Sequence, residues 1–145
     1  MVRASAVTTG VLENGVTVHH RFMDIRKDQV SATIVLAAGA IEETAATRGV
    51  SEVAGLAWSN RATSTLSSTN IRDLMTGKKV NVGGGAGMDT MTLSITGSPS
   101  DLETGFQLAH LLLTDPVVEQ AGFERWKTAQ LQAIEGRKKD PQGLI

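Results

Sequence analysis

The sequence has 145 residues, of which 41% are hydrophobic and 20% charged, with a formal net charge of −1 and no cysteine. That length suits one globular domain with its own core. The charge balance offers no basic field to nucleic acid or an anionic lipid surface, and the missing thiols exclude disulfides, thiolate metal sites and a cysteine nucleophile.

In chain order, Val11 and Leu12, the turn residues Glu13, Asn14 and Gly15, and the alternation of Val16, Val18, His20 and Phe22 with polar residues predict a hairpin with a half-buried second strand. Val30, Ala32, Ile34 and Leu36 share one face of a further strand that ends at Ala38 and Gly39. Val50, Val53, Ala54, Ala57 and Trp58 recur at i, i+3, i+4, i+7 and i+8, the spacing of a buried helix stripe. Ser68 is expected to cap a short helix over Ile71 and Leu74, closed by Gly77. Two alternating segments follow, at Val80 and Val82 and at Met91, Leu93 and Ile95, with the glycine-rich run 83–87 between them as a flexible bend or bulge.

Ser98 as N-cap, Pro99 at the first helical position and Asp101 near the positive dipole end open the next helix. Leu102, Phe106, Ala109 and Leu113 form its expected apolar face, and Asp115 with Pro116 stops it. A last helix carries Phe123, Trp126, Gln130, Leu131 and Ile134 on one side and ends at Asp140 and Pro141. Strands, two helices, two strands and two helices predict a single α+β domain over residues 1–145, a mostly antiparallel sheet with helices packed on one face. The chain stops soon after a helix with no closing segment, as expected of a cut domain. No apolar run approaches the roughly 20 residues of a membrane-spanning helix, and the N-terminus is too short and polar for an export signal.

Chemistry-bearing residues are sparse. His19 and His20 are neighbours on a strand and point to opposite faces, so they cannot share one ion; one half-buried and one solvated histidine is the simpler reading. His110 sits on the polar side of its helix with no second imidazole or thiol within a turn. The run 83–87 lacks the Gly-Lys-Ser/Thr ending of a phosphate loop, and Met88 stands where a dinucleotide fingerprint needs glycine. No serine lies in a Gly-x-Ser-x-Gly elbow. Glu42, Glu43, Asp101 and Glu103 read as charges at helix starts, and Arg137, Lys138 and Lys139 as a solvated helix end. These residues define no active site, and no catalytic, metal-binding or substrate-binding residue is assigned from them.

The order of several segments resembles the pitrilysin/insulinase family of zinc metallopeptidases. Residues 11–18 resemble the family's opening Leu-x-Asn-Gly strand pair, and Asp28, Gln29 and Val30 with the exit at Ala38 and Gly39 its next strand. Residues 74–80, 97–103, 113–116 and 139–143 are similar to the non-catalytic second repeat of bacterial two-repeat members. The catalytic repeat of that family holds zinc on a helical His-x-x-Glu-His and a downstream glutamate. Anchored on Gly49, the corresponding positions are Glu52, Gly55 and Leu56, and Glu135 lies near the downstream ligand. No histidine lies between His20 and His110, so the motif is wholly absent.

The resemblance therefore implies the first part of a non-catalytic pitrilysin-type repeat, inactive alone and without a cofactor, that helps enclose peptide substrates. Zinc is expected in a catalytic partner repeat or subunit. A bacterial, periplasmic setting is likewise implied, and neither nucleic acid nor membrane insertion is expected. An edge strand over residues 78–86 would offer a peptide a place to add by β-pairing. Two other readings stand beside it: a structural or interaction module of the same fold, and an independent metal enzyme using His19, His20 or His110.

Overall fold

The computed structural model describes residues 6–139. Strands β1 (Thr8–Val11) and β2 (Thr17–His20) pair antiparallel as a separate two-stranded ribbon. Its turn closes through Leu12 N–H to the Val16 carbonyl at 2.9 Å, and Gly15 takes the positive φ of 85° that the reversal demands. The expected half-burial of β2 is not met. Every residue of both strands is exposed, His19 and His20 included, because no other described element packs substantially on the ribbon.

β3 (Val30–Leu36), β4 (Val80–Ala86) and β5 (Met91–Gly97) form a second antiparallel sheet in the order β3-β5-β4. Ala32 and Val82 flank Ile95, while Ile34 and Gly84 flank Leu93. Ile95, Leu93 and Val82 are almost wholly buried. The opposite face of β3 and β5 pairs hydroxyls across the strands, Ser31 with Thr96 at 3.3 Å and Thr33 with Ser94 at 3.4 Å.

The glycine-rich run is a correction to the sequence reading. Residues 83–86 lie inside β4 in continuous register with β5, and the reversal falls at Met88 and Asp89, where Gly87 N–H donates to the Thr90 carbonyl at 2.7 Å. With glycine at 83–85 and alanine at 86 the segment shows no period, so a strand looks like a bend.

Helices α1 (Val50–Ser59), α2 (Ser68–Met75), α3 (Leu102–Thr114) and α4 (Gln120–Lys139) complete the order expected. Ala57, Trp58, Ile71, Leu108, Ala109 and Leu112 join the sheet residues in one core. Both buried stripes are rotated from the predicted ones. In α1, Val50 and Ala54 are exposed and Gly55 is buried; in α3, Phe106 is exposed, and Gly105, Leu108, Ala109 and Leu112 face inward.

The cause is the same in both helices. A Cβ on Gly105 would lie 2.7 Å from the Cγ2 atoms of both Ile95 and Val80, and one on Gly55 would lie 2.9 Å from the Ala86 nitrogen. The closest helix–sheet approach therefore centres on a residue that a hydrophobic pattern does not count. α4 keeps Phe123, Trp126 and Gln130 half-buried, whereas Leu131 and Ile134 are exposed and everything from 131 to 138 faces water. Its expected stop at Asp140 and Pro141 lies outside the described residues.

Ser67, not Ser68, caps α2, accepting from Asn70 N–H at 3.2 Å. Gly77 follows α2 with a positive φ of 81°. Ser98 caps a short 3-10 turn, Pro99–Asp101, that leads into α3. Asp101 does more than face a helix dipole: its carboxylate accepts the Lys79 N–H at 2.8 Å and ties the α3 start to β4.

Candidate functional site

The positions that would carry chemistry lie where α1 meets β4 and α4. α1 has no side-chain cap of its own, since its N-cap is Gly49 at a φ of 89°. Glu43 fills that role from a distance: one carboxylate oxygen accepts Gly49 N–H at 2.7 Å and the other Ser51 N–H at 2.8 Å. Those two backbone bonds, with the Ser51 hydroxyl, hold the Glu43 carboxyl below its ordinary value. Glu42, by contrast, belongs to the preceding 3-10 turn, Ala40–Glu42.

A second carboxylate clamp joins α2 to α4. Glu119 accepts the Ser68 hydroxyl at 2.5 Å and the Ser68 N–H at 3.1 Å, and these bonds, the hydroxyl first, lower its pKa. Asp115 likewise accepts from Ser64, through its N–H at 3.1 Å and its hydroxyl at 2.6 Å. The Glu43 and Glu119 clamps stabilise the native state while ionised. Their folded pKa values lie below the ordinary 4.5, so the contribution is complete above that pH and is lost as pH falls through the lowered values. Chemical denaturation between pH 7 and pH 3 should show a steeper acid decline for the native chain than for the Glu43→Gln, Glu119→Gln double variant. Parallel pH profiles would contradict the assignment.

Glu52, one turn into α1, accepts from Trp126 Nε1 at 3.0 Å and from Gln130 Nε2 at 2.9 Å, both on the same oxygen. Trp126 in turn stacks on Phe123 with ring centroids 5.8 Å apart. The crossing of α1 and α4 is thus built around a carboxylate satisfied by two neutral donors. Gly55 lies against the Ala86 nitrogen, on the inward side of α1. Leu56 is half-buried, and Glu135 is exposed on the outer half of α4.

The donor set does not suit zinc. One carboxylate already engaged by two side chains, a glycine and a leucine supply no imidazole pair. His19 Nδ1 lies 2.9 Å from the Thr9 hydroxyl across the hairpin, and His110 is exposed on α3. Among the described residues, no three His, Cys, Asp or Glu side chains gather closely enough to hold a metal ion. A cleft of about 600 Å³ between the hairpin exit and the start of β3 takes in His20, Asp24 and Asp28 without a second imidazole. No helix among the described residues is long and apolar enough to cross a membrane.

No protein-family model matches the chain, and no curated protein matches it. Solved structures do. The periplasmic protease PqqL from Escherichia coli superposes with a TM-score of 0.83 at 20% identity, over 98% of this chain and 16% of that one. A peptidase M16 inactive domain from Pseudomonas fluorescens gives 0.74 at 21% identity, over 95% of this chain and 33% of that one. The ferredoxin protease FusC, in complex with Arabidopsis ferredoxin, gives 0.79 at 18% identity, over 98% of this chain and 17% of that one. The chain spans a third or less of the length of these structures. It has the α+β fold of a half-domain of pitrilysin-type, or M16, peptidases, in accord with the resemblance in its sequence.

Proposed function

We propose that this chain is a non-catalytic domain of a pitrilysin-type zinc metalloendopeptidase. It helps enclose and bind peptide substrates, while a catalytic partner repeat holds the zinc and hydrolyses the peptide bond. The reading rests on one observation above all. Gly55, which the resemblance anchored on Gly49 places at the glutamate of His-x-x-Glu-His, lies so close to the Ala86 nitrogen that the spot has no room for a side chain. Likeness to an M16 inactive domain supports the same view.

On this reading residues 1–145 are the first part of a repeat, and the partner is a catalytic repeat in the same polypeptide or a separate subunit. Likeness to PqqL favours a periplasmic setting. Such a domain acts by confining a flexible peptide near the partner's zinc, which raises effective concentration without chemistry of its own.

A second reading, a structural or interaction module with no part in proteolysis, is favoured by the exposed apolar residues of the ribbon, Val11 and Val18. Titrating the chain into a catalytic M16 repeat separates the two. Hydrolysis of a fluorogenic peptide should rise saturably with the added chain, and a rate that stays flat while the two proteins demonstrably bind would favour the scaffold.

A further inference from the structure

We propose that Asn14 is a self-modifying site: when the β1–β2 ribbon opens, the Gly15 backbone nitrogen closes on the Asn14 carboxamide, and the isoaspartate that results keeps the ribbon from closing again. The inference is independent of the peptidase reading and needs no partner.

In the first step the Gly15 nitrogen attacks Asn14 Cγ and a new C–N bond forms. The side-chain nitrogen leaves as ammonia, taking with it the proton that Gly15 gives up. Water then opens the cyclic imide. Hydrolysis at the side-chain carbonyl yields aspartate, whereas hydrolysis at the main-chain carbonyl yields isoaspartate, in which the backbone runs through Cβ and Cγ and a carboxylate hangs free.

Sequence and structure single out this asparagine. Asn14 alone of the four asparagines precedes a glycine; Arg61, Ile71 and Val82 follow the others, and a Cβ there screens the attacking nitrogen. Asn60 is also fixed at the end of α1, Asn70 within α2 and Asn81 within β4. At Gly15 the position of a Cβ has no neighbour within 4 Å, so the ring has room to form. Residues 12–16 are all exposed, which gives water access to both steps.

The Asn14 carboxamide is already folded back along the turn. Its Oδ1 accepts the Val16 N–H at 3.2 Å, an Asx turn that also polarises the Cγ to be attacked. What restrains the reaction is the Gly15 N–H, donated to the Leu12 carbonyl at 2.9 Å with Gly15 held at a φ of 85°. Opening of the turn frees that nitrogen. Opening is cheap, because two strands alone are marginal and no other described element packs substantially on them.

The product does not fit the closed turn. An added methylene between positions 14 and 15 misplaces the Gly15 N–H to Leu12 and Leu12 N–H to Val16 bonds, and the new carboxylate stands beside Glu13. The three-stranded sheet and its helices share no substantial contact with the ribbon and keep their packing.

The test ages the full chain at mildly alkaline pH and follows it by peptide mapping, with an isoaspartate-specific methyltransferase as label. Asn14 should convert while Asn60, Asn70 and Asn81 stay intact, and Asn14→Gln should abolish the label. Gly15→Ala strains the turn yet shields the nitrogen, so it should slow conversion even as it loosens the ribbon. Thr9 and His19 face each other across the strands, and the oxidised Thr9→Cys, His19→Cys double variant should convert about tenfold more slowly than its reduced form. In the aged chain the Leu12 amide should lose exchange protection with no change in melting midpoint, whereas freshly prepared Asn14→Asp should keep it.

Conversion at the other asparagines as fast as at Asn14, faster conversion in Gly15→Ala, equal rates in the oxidised and reduced double variant, or a protected Leu12 amide in the isoaspartate form would each overturn the proposal.

Discussion

Trp58→Ala should lower the unfolding free energy by about 3–5 kcal/mol, a large share of the roughly 5–15 kcal/mol that holds a domain together. Trp58 is buried at 6% exposure and packs among Ile71, Val82 and the inner residues of α3. Its indole also meets a specific need. The Leu112 carbonyl lies in the last turn of α3, where the residue four positions on is Pro116, which has no N–H to give. Trp58 Nε1 supplies the missing donor at 2.8 Å across 54 residues of sequence.

Trp58→Phe separates the two contributions. It keeps most of the bulk and leaves a buried carbonyl without a partner, a penalty of about 1–3 kcal/mol. Denaturant titration followed by circular dichroism should rank native above phenylalanine above alanine. A phenylalanine variant as stable as the native chain would mean that water or a shifted α3 serves Leu112 instead.

Rebuilding the missing motif should fail. With Glu52→His, Gly55→Glu and Leu56→His, the three side chains of His-x-x-Glu-His are present in sequence, yet zinc titration should show no tight one-to-one binding. The obstacle is Gly55, where any Cβ meets the Ala86 nitrogen at 2.9 Å, so α1 must lift from β4 to accept one. Gly55→Ala alone makes the point in free energy. Helix propensity favours alanine by about 1 kcal/mol, while overpacking against backbone costs about 1–3 kcal/mol, and the expected net is a loss. If Gly55→Ala raised the denaturation midpoint, α1 would be free to move off the strand and the silent-repeat argument would lose its basis.

The element order and fold class were legible because the strand and helix periods of residues 30–36, 91–95 and 102–113 are strong. What escaped was whatever depends on a residue with no side chain or a partner far along the chain. The strand at 83–86 has no pattern to read, and the inward faces of α1 and α3 turn on Gly55 and Gly105. The clamps escaped for the second reason: Asp115 to Ser64 and Glu119 to Ser68 each join residues 51 apart, and no local rule pairs them. At the candidate site, the missing histidines were plain from the sequence. The engagement of Glu52 by Trp126 and Gln130 came from tertiary packing alone.

The ribbon of β1 and β2 packs substantially on no other described element, and its strands are open to water throughout. Two strands alone are marginal in water, so residues 8–20 open and close on an equilibrium of their own, decoupled from the cooperative unit around Leu93 and Leu112. A melting curve read from helical signal is therefore blind to that segment, and whatever docks against it in a larger assembly alters its order without moving the midpoint of the rest.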